Sequence, residues 1–272
     1  SLAQSMVDME LNQSRGVMVL SENSINHGLV NVAALSAGIP LSPISVAYSM
    51  MSSDYAKLKH CFDLVAPGMI YVENGMQFEK ALDNLNLNNV HVVCSNNPSK
   101  NIKMKLFNDL VSITPSDTLQ KIYDSVNHDS IAKYLFTSGS TGMPKGVINT
   151  QLMLCTNMQQ VEQIRPHEMD EHNVVVDWLP WNHTMGGNHI FNGIFWSGGS
   201  LYIDKGRPIP GMFDETVKNL KEISPSYYTS VPAGLAMLLE KLKSDHELQK
   251  VFFKNLIAVG YGGASLPPEV WY

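Results

Sequence analysis

Strand-like and helix-like segments alternate along most of this chain, and that alternation restricts its fold more than any other feature, because strands joined through helices return to one sheet in parallel. Gly16-Val17-Met18-Val19-Leu20 reads as a strand. Ser21 or Ser24 caps the next helix, whose apolar face is Ile25, Leu29, Val32 and Ala33, and Gly38 ends it. Ile39 to Val46 is again strand-like. A helix from Tyr55 to Val65 leads to a strand at Met69 to Val72, and one from Gln77 to Leu85 leads to Val90 to Val93. From Asn96 to Ser130 the pattern weakens into polar residues with Pro98 and Pro115. Lys100, Lys103 and Lys105 there read as part of a solvated loop rather than a basic patch.

Farther along, Ile131 to Phe136 is apolar and aromatic enough to be a buried strand, and Gly146 to Asn149 looks extended. A helix from Gln151 to Ile164 precedes the polar stretch Arg165 to His172, which marks a boundary between residues 1–165 and 166–272. The second half reads as a strand at Asn173 to Trp178, a helix at Phe213 to Ile223 and a strand at Ser226 to Ser230. Pro232 then starts a helix with Leu235, Leu238, Leu239 and Leu242 on one face, and a strand follows at Asn255 to Val259. No internal repeat or low-complexity tract interrupts the order. The whole predicts a layered α/β fold with two mainly parallel sheets and helices.

Between the strands at Ile131 and Gly146 lies Thr137-Ser138-Gly139-Ser140-Thr141-Gly142-Met143-Pro144-Lys145-Gly146, with four hydroxyls, three glycines and one lysine. A phosphate chain is dense in charge and acceptors, so it needs many donors at close range. Glycines remove the Cβ that would hold the backbone away, successive N–H groups can form an anion-binding concavity, and Lys145 adds a mobile point charge. A Walker loop needs glycine directly before the lysine and serine or threonine directly after it; Lys145 lies between Pro144 and Gly146. No helix follows to aim its N-terminus at the phosphates.

The decapeptide resembles the phosphate-loop signature of the adenylate-forming superfamily, which includes acyl- and aryl-CoA synthetases, luciferases and peptide-synthetase adenylation domains. Two further segments resemble family motifs in the same order: Trp178-Leu179-Pro180-Trp181-Asn182-His183-Thr184-Met185-Gly186-Gly187, and the adenine-contacting turn Gly262-Gly263-Ala264-Ser265-Leu266-Pro267. The wider run from Leu179 through Gly193 to Ser200-Leu201-Tyr202-Ile203-Asp204, then Pro210-Gly211-Met212-Phe213, is most similar to the feruloyl-CoA synthetase branch.

The resemblance implies an ATP-dependent carboxylic acid–CoA ligase with ATP and coenzyme A as co-substrates and Mg²⁺ accompanying ATP. It implies that Lys145, Thr141 and His183 act in the reaction. It further implies that Thr137, Ser138, Gly139, Ser140, Thr141, Gly142, Lys145 and Gly146 hold the phosphates, and that Gly262, Gly263 and Ala264 border the base and the acyl group. His183 would line the carboxylate and thiol-entry region. Both ends of the chain read as cut, since it opens on Ser1 and Pro267 to Tyr272 begins a helix that does not continue. By resemblance, the acidic metal-associated residue, the ribose-binding aspartate and the catalytic lysine of a small C-terminal domain fall beyond Tyr272. Loading of a carrier protein instead of CoA, and a non-catalytic nucleotide-binding relative, stay open as alternatives.

Composition excludes several other classes. A net charge of −6 is poor for nucleic acid or an anionic membrane. The longest apolar stretch, Leu29 to Met51, is broken by Asn31, Gly38, Pro40 and Pro43, so no membrane span is expected, and the first residues lack the basic-then-apolar pattern expected of a signal peptide. Cys61, Cys94 and Cys155 form no metal or redox spacing and read as buried thiols in a reducing, cytoplasmic setting. His167, His172, His183 and His189 lie close together, but their spacings match no common zinc motif. Trp178, Trp181, Phe191 and Trp196 read equally as an aryl pocket or as core aromatics.

Overall fold

The computed structural model describes residues 1–137 and 142–271. The chain divides into two compact units, Ser1–Cys155 and Thr156–Tyr272. The first unit contains, in order, α1 (Leu2–Asp8), β1 (Val17–Val19), α2 (Ile25–Ser36), β2 (Leu41–Pro43), α3 (Ala47–Met50), α4 (Ala56–Val65) and β3 (Met69–Asn74). It continues with α5 (Gly75–Leu82), β4 (His91–Asn96), β5 (Lys105–Leu106), α6 (Phe107–Leu110), α7 (Asp117–Ser125), β6 (Ile131–Phe136) and β7 (Gly146–Thr150). Its sheet runs β5-β4-β3-β1-β2-β6-β7, parallel at every pairing except that of β6 with β7.

The strands are apolar without a break because both faces of this sheet are covered. Val17 and Val19 join Leu41, Met69 and Tyr71 in a core shared with α1 and α2. Met18 and Leu20, on the alternate positions, join Ile70 and Val72 in a second core with α4 and α5. Ser24 caps α2: its hydroxyl oxygen accepts the His27 backbone N–H at 3.1 Å and donates to Glu73 at 2.7 Å. At Gly16 an added Cβ would stand 2.4 Å from the Pro40 carbonyl oxygen, so the entry to β1 tolerates no side chain.

Helix α8 (Gln151–Ile164) follows β7 over the span its periodicity predicts, and the division between units falls within it. The second unit then holds a 3₁₀ turn at Pro166–Met169, β8 (Val174–Asp177), a π-helical segment at Met185–Ile190, α9 (Phe191–Ser197), β9 (Ser200–Ile203) and α10 (Phe213–Glu222). It closes with β10 (Tyr227–Ser230), α11 (Pro232–Ser244), α12 (His246–Phe252), β11 (Ala258–Tyr261) and α13 (Pro268–Trp271). Its sheet, β11-β10-β8-β9, is parallel throughout. Val176 and Tyr228 face a core made with α10, α11 and α12, including Phe213, Leu220, Leu235 and Phe252. Val175 and Tyr227 face the other way, onto Ile190 and Ile194.

The fold is the layered α/β arrangement with two mainly parallel sheets that the alternation predicts. Residues 96–130 depart from the expected loop, because β5, α6 and α7 lie there. Phe107 and Leu110, three apart in a polar context, are both buried in the α1–α2 core and pin a helical turn, while the three lysines stay exposed. Cys61 and Cys94 are buried as expected, and burial pushes the Cys61 thiol up to about 12; Cys155 is exposed instead. No helix among the described residues is long and apolar enough to cross a membrane.

One buried group gives the fold a pH dependence. Lys133, on β6, is fully buried, and desolvation brings its pKa from 10.5 down to about 7. Between those values the unfolded chain binds a proton that the folded chain does not, so stability is lowest below pH 7 and rises as pH climbs toward 10.5. Lys133→Met is expected to flatten this rise, being the more stable form below pH 7 and converging with the parent near pH 10. Urea titrations across that range check it.

Candidate active site

Two of the sequence motifs sit on the second unit and one on the first, and all three follow strands. In the first unit, β6 and β7 form an antiparallel hairpin in which Phe136 pairs with Gly146. Thr137 closes it: its N–H donates to the Lys145 carbonyl at 3.0 Å, and its hydroxyl oxygen accepts the Lys145 N–H at 3.3 Å. Thr137, Gly142, Lys145 and Gly146 are exposed, whereas Pro144 is buried with its carbonyl oxygen 2.9 Å from His60 Nε2 of α4. A Cβ at Gly142 would meet no atom of the described residues within 4 Å. Ser138, Gly139, Ser140 and Thr141 lie outside the described residues.

In the second unit, β8 runs into the second motif. Asp177, its last residue, is buried; its Oδ1 accepts the Leu179 N–H at 3.2 Å, and its Oδ2 meets no partner among the described residues. Desolvation, aided by the nearby Asp204, pushes its pKa up to about 8, so it is largely protonated at neutral pH. Asp204 is itself satisfied by Thr216 Oγ1 at 2.6 Å, Asn219 Nδ2 at 2.9 Å and the Gly206 N–H at 2.7 Å.

The chain then turns back on itself. Gly186 packs against the carbonyls of Leu179 and Pro180, and Gly187 against that of Trp181, where an added Cβ would stand only 2.1 Å from the oxygen. Backbone lies on backbone here, and only glycine permits it. The segment Met185–Ile190 is wound as a π-helix, a form concentrated at functional sites, and continues into α9 until Gly198, at φ +78°, stops it. His183 is exposed at the head of this turn. Its carbonyl oxygen accepts the Gly187 N–H at 2.8 Å, and its ring Nδ1 accepts the Met185 N–H at 3.4 Å. That bond requires a lone pair on Nδ1, which leaves Nε2 to carry the ring proton and face outward.

The third motif lies at the same end of the sheet. Gly262 and Gly263 directly follow β11, which runs parallel to β8 through β10, and ligands of parallel sheets collect outside these C-terminal ends. An added Cβ at Gly262 would fall 2.8 Å from Met185 Cε, so the second and third motifs touch. Gly263 has φ +87° and Val231, just after β10, beside it. Ala264 is exposed.

Below this edge a cleft of about 370 Å³ opens between the sheet and the π-helix with α9. Val175, Tyr227 and Ala258 form its floor, Met185, His189 and Gly193 its facing wall. Sequence reasoning missed this lining, because neighbours on three strands become adjacent only once the strand order is known. The aromatics it weighed lie elsewhere. Trp181 and Phe191 are buried against each other with ring centroids 4.5 Å apart; Trp196 is exposed and donates to Glu162 at 3.1 Å; Trp178 donates to Ser230 at 3.2 Å. None of the four lines the cleft. Among the described residues no three His, Cys, Asp or Glu side chains are grouped to hold a metal ion.

The profile of a family described as AMP-binding enzyme matches residues 1–272. The long-chain-fatty-acid–CoA ligase ACSBG1 of Homo sapiens is 24% identical over 247 residues, covering 89% of this chain and 33% of that protein. The oxalate–CoA ligase of Arabidopsis thaliana is 29% identical over 170 residues, covering 60% of this chain and 31% of that protein. The structure of ATP-bound MatB from Rhodopseudomonas palustris superposes with a TM-score of 0.70 at 18% identity, covering 99% of this chain and 48% of that one, a likeness of fold. The chain thus spans about a third of the length of the curated relatives it matches. With the profile matched from end to end, the chain belongs to the AMP-binding enzyme family.

Proposed function

We propose that the protein carrying this chain is an AMP-forming carboxylic acid–CoA ligase. A carboxylate oxygen attacks the α-phosphorus of ATP, the bond to the bridging oxygen breaks, and pyrophosphate leaves with its electron pair. The thiol sulfur of coenzyme A then attacks the acyl carbon, loses its proton, and AMP departs with the acyl carbon's former oxygen. The observation that carries this reading is family membership together with the contact of Met185 against Gly262, which joins two motifs at the rim of a cleft large enough for an organic acid. The names of both relatives, a long-chain-fatty-acid–CoA and an oxalate–CoA ligase, are of the same reaction class.

In this reading Lys145 neutralises charge on the departing pyrophosphate, with Thr137, Ser138, Ser140 and Thr141 as hydroxyl donors and Gly139, Gly142 and Gly146 giving the phosphates room. Such a transfer asks for positioning and charge stabilisation rather than covalent help. His183, with its outward Nε2–H, positions the acid carboxylate. Gly262, Gly263 and Ala264 border the adenine and the acyl group. Mg²⁺ accompanies ATP, but the described residues group no ligand set for it, and no step is assigned to it. The acid is an aryl acid of the hydroxycinnamate kind, such as ferulate. Support comes from the resemblance of the Leu179–Phe213 region.

The complete gene product, given ATP, Mg²⁺, CoA and a panel of hydroxycinnamic, benzoic, dicarboxylic and fatty acids, is expected to release AMP and pyrophosphate with an aryl acid. Release with no acid on the panel refutes the assignment, and AMP release without a CoA thioester points to a carrier-protein acceptor. Lys145→Ala is expected to slow adenylate formation about a hundredfold, the scale of losing one charge-stabilising donor. Because Lys145 is exposed, its melting temperature stays that of the parent. Full adenylation by this variant removes the lysine from the mechanism.

A further inference from the structure

Met143, Lys145 and Gly146 are exposed, yet Pro144 among them is buried. Its carbonyl oxygen lies 2.9 Å from Nε2 of His60, a residue 84 positions earlier on α4. A carbonyl oxygen only accepts, so Nε2 carries a proton and donates it. Among the described residues, no other hydrogen bond ties residues 142–146 to an element outside the β6–β7 hairpin.

This bond acts on the peptide group that sets the direction of Lys145. The Pro144 carbonyl and the Lys145 N–H belong to one planar unit. His60 holds the carbonyl, while the Thr137 hydroxyl oxygen accepts the N–H at 3.3 Å. A plane held through both of its polar groups cannot swivel about the line joining its Cα atoms, and the proline ring already fixes φ at residue 144. The Lys145 carbonyl in turn accepts the Thr137 N–H at 3.0 Å. The backbone therefore dictates how the Cα–Cβ bond of Lys145 departs, although the stem beyond it is exposed and flexible.

His60 can do this because its own helix is anchored. Leu58, Cys61 and Phe62 of α4 are buried in the core against which Phe136, the last residue of β6, also packs. Helix and hairpin share one foundation. We propose that His60 is a positioning residue for the loop lysine: by holding the Pro144 carbonyl it aims Lys145 at the pyrophosphate departing from ATP. This rests on the ligase reading above and adds to it a residue that acts through the backbone.

The test follows pyrophosphate release in a single turnover of the complete gene product, with ATP, Mg²⁺ and the acid of the panel it uses fastest. His60→Leu is expected to slow release about tenfold, the scale of one neutral hydrogen bond. The ATP concentration for half the maximal rate stays near the parent's, because Lys145 meets charge that develops only as the bond breaks. His60→Gln, whose amide nitrogen can stand where Nε2 stood, is expected to recover most of the rate, and the shorter His60→Asn is not. Placed in the Lys145→Ala background, His60→Leu is expected to cost nothing further, since no ammonium is left to aim. A parental rate in His60→Leu, a Gln variant as slow as the Leu one, or losses that multiply in the double variant each overturn the role of His60 and leave the ligase reading in place. Should His60→Leu not fold, the Gln and Asn variants decide: faster release by Gln supports the role and equal rates overturn it. A parent that releases no pyrophosphate with any acid overturns the ligase reading, and this inference with it.

Discussion

Close approach of backbone to backbone at Gly186 and Gly187 organises the second unit. The carbonyls of Leu179, Pro180 and Trp181 occupy the space where side chains would project from these two residues, and the chain can fold back only because none is there. That reversal seats the π-helical segment over the sheet. It sets Met185 against Gly262, aims the His183 ring outward, and holds His189 and Gly193 across from β10 and β11. The cleft exists because a helix is carried above the sheet at this height.

The first unit rests on a different constraint, the covering of a parallel sheet on both faces. Val17 and Met18, one residue apart, enter separate cores, so a slip of one position in β1 would exchange them. Polar groups are admitted to this interior mainly where strands end. Glu73 accepts from Ser24 and from the Tyr71 hydroxyl at 2.6 Å, while its own N–H reaches Ser21, so the start of α2 is tied to the ends of β1 and β3. Lys133, within β6, is the costlier exception, driven toward its neutral form by desolvation, and in the second unit burial does the same to Asp177.

Much of the architecture was legible because local chemistry and tertiary packing agree. Ser24 caps α2, Pro232 opens α11, and the apolar runs at Val17, Met69 and Ile131 are strands. What was not legible depends on distant neighbours. Helix α12 is capped by Asp245, whose carboxylate accepts the Leu248 N–H at 3.0 Å, a signal masked by the long leucine pattern before it. Strand β11 begins three residues later than the expected start at Asn255 because pairing with Tyr227 sets its register at Ala258. Of the candidate site, the composition of residues 137–146 marks a phosphate loop, and the other two motifs were legible through family resemblance. The cleft was not, since Tyr227 lines it while Tyr228, equally aromatic, lies in the opposite core.

The hairpin of β6 and β7 has a consequence for how sequences of this kind can diverge in length. Strand pairing places Thr137 against Lys145, and side chains along β7 alternate between the two faces of the sheet. An odd insertion that propagated into β7 would turn the lysine to the other side, and a compensating bulge would have to absorb it. Around Asn97 to Met104, where the chain crosses the surface between β4 and β5, extra residues disturb no such pairing. Homologous chains should therefore drift freely in length there and scarcely at all within β6 and β7 themselves.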